Sequence, residues 1–211
     1  WEKPETSINY ELGARYDGRV FVEVIGFYSD FSNKGESCSN AYPCSNGATS
    51  GTFITGEAVV AGVEVQVGHV FETGQITWPL SVSYTHSMAE ARGDTADSGV
   101  LDGDTLASVP ENSLSLRLGA QVGSRWDSYA VVKYVDEMCV EIGCNREASS
   151  FAQTESFFVV DVGTRYAVTD AISAFVKVEN ALDKRAIVSR QPDGARPNKP
   201  LTAMLGVEWV F

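Results

Sequence analysis

The last eleven residues, Leu201 to Phe211, constrain this chain most. Leu201, Ala203, Leu205, Val207, Trp209 and Phe211 are apolar at every second position, and Thr202, Gly206 and Glu208 alternate with them. Period two marks a β-strand with one face in an apolar medium and the other against something more polar. About 9–11 residues is also the length a tilted strand needs to cross a bilayer. Two surroundings satisfy the pattern: the wall of a membrane-spanning barrel, or the last strand of a soluble sandwich.

The rest of the chain repeats it. Alternation runs through Ile8–Tyr16, Val20–Tyr28, Val59–Val67, Trp78–Tyr84, Leu114–Val122, Ala130–Tyr134, Phe158–Tyr166 and Ile172–Val178, which with the terminal strand makes nine. Short turns at Asp17-Gly18, Glu72 to Gln75, Arg125 to Asp127 and Val168 to Asp170 alternate with long polar loops. These loops are expected at about 32–56, 90–112, between Asp136 and Phe158 (holding the second cysteine pair), and 180–200. Such asymmetry is expected when one end of a barrel faces the periplasm and the other the exterior.

The second face argues against a dry sandwich core. It carries Glu11, Arg15, Glu23, Glu64, Gln66, Arg117, Gln121, Lys133, Asp161, Arg165, Lys177, Glu179 and Glu208. Unpaired buried charges cost several kcal/mol each, so this face needs water or a polar lumen. Tyr16, Tyr28, Trp78 and Tyr84 near strand ends then become interfacial girdles. The fold expected is all-β: an antiparallel transmembrane β-barrel wall of about nine strands.

Composition agrees. The chain is 44% hydrophobic, yet no run approaches the roughly 18 apolar residues of a transmembrane helix. No basic-then-apolar secretory signal is read at its start. A net charge of −12, from 28 acidic and 16 basic residues, leaves no clustered basic surface for nucleic acid. No catalytic constellation and no cofactor motif is read: His69 and His86 sit in or beside alternating strands with no motif around them. The cysteines fall into two close pairs, Cys38/Cys44 and Cys139/Cys144, whose spacing favours two local disulfides in an oxidising compartment. A zinc site is the rival reading, poorly served by these spacings.

Three segments carry a resemblance. Lys3 to Tyr16 (KPETSINYELGARY), Val178 to Arg185 (VENALDKR) and Gly194 to Leu201 (GARPNKPL), followed by the terminal strand, resemble in order the corresponding stretches of TonB-dependent outer-membrane receptors, nearest the ferric-citrate and siderophore branch. The resemblance implies that residues 1–211 are the C-terminal part of a 22-stranded barrel in the Gram-negative outer membrane. The plug domain, the remaining strands and the TonB-contacting segment would lie outside this chain. An odd count of nine strands agrees, because a free-standing piece would leave unpaired edges in lipid. The implied function is TonB-dependent uptake of an iron chelate. A structural or adhesin-type barrel whose disulfide-pinned loops bind a partner is the alternative, and a soluble carbohydrate-binding sandwich is a third reading.

An anionic chelate needs cations that bond oxygen pairs, which Arg does in bidentate fashion. Arg185, Arg190 and Arg196 in the last long loop are the leading candidates, with lumen-facing Arg117 and Lys133 as lesser ones. The competing reading pairs Arg190 and Arg196 with loop acids such as Asp193.

Overall fold

A computed structural model describes residues 3–38, 40, 47–94, 99–146, 151–190 and 194–211. Eleven strands run in chain order: β1 (Thr6–Asp17), β2 (Val20–Cys38), β3 (Gly51–Thr73), β4 (Ile76–Arg92), β5 (Asn112–Val122), β6 (Trp126–Val135), β7 (Phe157–Ala167), β8 (Ile172–Glu179), β9 (Ile187–Ser189), β10 (Arg196–Pro197) and β11 (Thr202–Trp209). Nine of them form one antiparallel sheet in the order β1 to β8 then β11, and β9 and β10 make a small ribbon inside the last loop. The sheet is open, with β1 and β11 at its edges. All nine strands of the sheet were expected from alternation; β1 to β8 pair in sequence, and β11 pairs with β8 across the intervening ribbon.

Register keeps the two faces separate across the whole sheet. One row reads Ala14, Val24, Val65, Tyr84, Leu114, Tyr134 and Phe158; the row beside it on the other face reads Arg15, Glu23, Gln66, Ser83, Ser115 and Lys133. A slip of one residue in any strand would swap these faces, so the charge pattern itself pins the register.

The apolar face carries two aromatic belts. Tyr16, Phe71, Trp78, Trp126, Tyr166 and Trp209 lie at the end with the short turns, and Tyr10, Tyr28, Tyr84, Tyr134 and Phe158 lie toward the long loops. Trp126 and Tyr134 are eight residues apart on β6, as are Phe158 and Tyr166 on β7. At about 3.3 Å per residue and a tilt of about 40°, that separation is roughly 20 Å, close to the apolar band of an outer-membrane barrel.

The loop expected at about 32–56 is largely strand. β2 continues to Cys38 and β3 begins at Gly51. The extension was hidden because the pairing shifts between Phe31 and Lys34 and again before Gly35, which breaks the period-two pattern. Asn33 and Gly56 take positive φ of 56° and 109° at this irregularity.

Above the upper belt the molecule has a true core. Ala58, Ala89 and Ala91, on the face shared with Gln66 and Ser83, pack with Val100 and Leu106 of the β4–β5 loop and Ile142 of the β6–β7 loop. Phe31, Val60 and Val109 flank them. Three small alanines on the strands let the loops approach closely, and Val100 is fully buried there.

Candidate functional site

The polar face carries a ladder of ionic contacts. Arg15 meets Asp17 at 3.6 Å, Lys133 meets Asp161 at 4.0 Å, and Arg165 meets Glu208 at 2.8 Å. Ser173 accepts a second bond from Arg165 Nε at 3.1 Å. Glu179 takes Lys177 at 2.7 Å and also Lys199 of the last loop. Alternation alone places these groups on one face. Arg15–Asp17 and Lys177–Glu179 are two residues apart on one strand. Lys133–Asp161 joins β6 to β7 and Arg165–Glu208 reaches from β7 across β8 to β11, pairings with no local sequence signature.

The outer loops are bound to one another. Asp104, 2% exposed, accepts from Arg146 Nε at 2.7 Å and from the Leu101 amide at 2.8 Å. The Gly143 amide donates to the Thr105 carbonyl, and the Ser108 amide to the Cys139 carbonyl. The β4–β5 and β6–β7 loops are therefore tied to each other by an ion pair, backbone hydrogen bonds and a shared core. Asp104 and Arg146 are 42 residues apart and lack any motif, so sequence reasoning missed them.

The disulfide Cys139–Cys144 cinches the second of these loops, with Cα atoms 5.6 Å apart, which removes the zinc reading for this pair. Cys38 is also disulfide-bonded; Cys44, the partner its spacing predicts, lies outside the described residues. Near Cys38, Glu5 bonds Lys34 at 3.2 Å and the Gly35 amide at 3.3 Å. The Lys34 ammonium holds the Glu5 carboxyl below its ordinary range; burial opposes this, and the Gly35 amide adds to the lowering.

The last loop is organised by Asn180, 3% exposed and at a positive φ of 48°. Its Nδ2 donates to the carbonyls of Lys184 and Lys199, at 2.8 and 2.9 Å, and its Oδ1 accepts from the Lys184 amide. Its own amide donates to Asp161 at 2.8 Å, which ties the loop to the polar face of β7. Asp183, also at positive φ, caps the Leu201 amide.

The five candidate cations have different fates. Arg190 is part of the scaffold: its Nε donates to the Gln153 carbonyl at 2.7 Å and its guanidinium lies 5.6 Å from the Phe151 ring centre. Asp193, the loop acid named as its competing partner, lies outside the described residues. Arg185 is exposed and only loosely paired with Asp183 at 3.6 Å. Arg196 is exposed on β10, opposite Ser189, with no ion-pair partner among the described residues. Arg117 and Lys133 share the polar face, Arg117 stacked on Tyr129 with its guanidinium carbon 4.4 Å from the ring centre. The structure thus brings Arg185 and Arg196 into one loop as available cations and commits Arg190 to holding that loop in place.

Residues 3–181 match the family model described as TonB dependent receptor-like, beta-barrel. The iron-regulated outer membrane virulence protein of Vibrio cholerae serotype O1 is 28% identical over 192 residues, 86% of this chain and 28% of its own length. The ferric-pyoverdine 358 receptor of Pseudomonas putida is 24% identical over 216 residues, 99% of this chain and 24% of its own length. Among solved structures, the ferric yersiniabactin uptake receptor FyuA of Yersinia pestis superposes with a TM-score of 0.76 at 21% identity, covering 98% of this chain and 30% of that one. The chain therefore spans 24–30% of the length of these relatives.

Proposed function

The chain belongs to the TonB dependent receptor-like β-barrel family, and on that premise we propose that its nine strands form the C-terminal wall of a 22-stranded receptor that takes up an iron chelate across the outer membrane. The observation that carries this reading is the separation of faces. An apolar face with aromatic belts stands on one side of the sheet, and an ionic ladder lies on the other beneath a cation-bearing loop. In this reading the plug domain and the remaining strands close the lumen, TonB engages the N-terminal part of the receptor, and outer-membrane lipid bathes the apolar face. The chain's work is binding and gated passage, with no chemical step.

Within this reading Arg185 and Arg196 face the incoming anionic chelate, Arg117 and Lys133 line the lumen below, and Arg190 serves mainly by fixing the loop. Ferric pyoverdine is a suitable probe, given the pyoverdine receptors among the relatives. In the full-length receptor, Arg185→Glu combined with Arg196→Glu should weaken its binding about tenfold, equivalent to about 1.4 kcal/mol. Unchanged affinity in the doubly reversed receptor would discard these two residues as the site.

A further inference from the structure

Most cations on the polar face of the sheet have a carboxylate. Arg15 has Asp17, Lys133 has Asp161, Arg165 has Glu208, and Lys177 has Glu179. Arg117 has none within ion-pair distance among the described residues. What it has is a ring: its guanidinium lies on Tyr129, 4.4 Å from the centre. The ring can present its face because it lies flat on the neighbouring strand. Tyr129 pairs directly with Gly163 on β7, where an added Cβ would stand 2.6 Å from the ring carbons. On its other side Tyr129 pairs with Gly119, whose open face is taken by Pro79, so the ring rests on Gly163 alone of the two.

The geometry points to a built anion-oxygen position: Gly163 lays the Tyr129 ring against the wall, and the ring carries the Arg117 guanidinium, whose N–H fork stays available. Stacking satisfies the guanidinium's flat face and fixes its plane but leaves its edge donors unused. A fixed plane with open edges fits a carboxylate accepting two parallel bonds. Arg117 lies mid-strand, five residues from either end of β5, well below the loops that meet solute first. The occupant at that depth is a carboxylate side chain of the domain that fills the lumen, a part of the receptor beyond this chain. This rests on the barrel reading above but not on the identity of the chelate.

The test uses the chelate-free full-length receptor in detergent and reads the urea midpoint at which the lumen-filling domain unfolds inside an intact barrel. Arg117→Lys keeps the charge and loses the fork, and Tyr129→Ala loses the platform. Each should lower that midpoint by about 0.5 M. Tyr129→Phe keeps the ring and should match the wild type, while Gly163→Ala should resemble Tyr129→Ala. Arg117→Lys added to Tyr129→Ala should lower the midpoint no further, since both remove one interaction. Additive losses, an equal loss with Tyr129→Phe, or no loss with Arg117→Lys would overturn the proposal. So would an effect seen only after ferric pyoverdine is added, which would assign the oxygens to the chelate instead. If wild-type receptor fails to take up ferric pyoverdine, the uptake reading suffers while these chelate-free midpoints still decide the role of Arg117.

Discussion

Asn180 shows how one side chain can hold twenty residues of loop. Its amide group has both donors and an acceptor, and the structure uses both kinds against the backbone of Lys184 and Lys199. Asn also tolerates the positive φ found there better than most residues. Asn180→Ala should therefore cost about 1–3 kcal/mol, the penalty for buried polar groups left without partners. It should be read as a lowered unfolding midpoint, with the segment after β8 the first to become protease-sensitive. Asn180→Asp keeps the acceptor and loses the two donated bonds, so it should fall between. A loop that resists protease as well in Asn180→Ala as in wild type would show that its order comes from elsewhere.

For the individual strands the decisive property is which face each residue takes. Val65 pairs with Val24 and Tyr84 on the apolar face, and its neighbour Gln66 pairs with Glu23 and Ser83 on the polar one. Val65→Arg should cost about 2–4 kcal/mol near the bilayer midplane, and Gln66→Arg much less. Equal costs in a refolding titration into vesicles would invert the facing. This level was the most legible in the sequence, because alternation reports facing directly and the nine strands of the sheet fall where alternation put them. It was legible only while pairing stayed regular: the shift at Lys34 concealed the upper third of β2 and β3. The short ribbon of β9 and β10 escaped because two or three residues cannot display a period. The site was less legible still. Alternation assigns Arg117 to the polar face but says nothing of which ring it will stack on, and no local pattern joins Asp104 to Arg146. The segment around Asn180 stood out only as a resemblance, without the bonds that explain it.

At the scale of the whole molecule, the unsatisfied features are the two sheet edges. β1 and β11 each present a row of backbone donors and acceptors with no neighbour in this sheet, which hydrocarbon does not tolerate. The 211-residue chain refolded alone in detergent should therefore not give the compact, heat-modifiable band of a closed barrel on unheated gels, whereas the full-length receptor should. A closed barrel formed by this chain alone would refute the larger assembly. The strands also differ greatly in reach: β3 has 23 residues and β11 has 8. The rim of the wall is accordingly a slope, a parapet at β2 to β4 that falls to a low sill at β8 and β11. On the uptake reading proposed above, a solute at the cell surface climbs least on that side, beside the loop carrying Arg185 and Arg196.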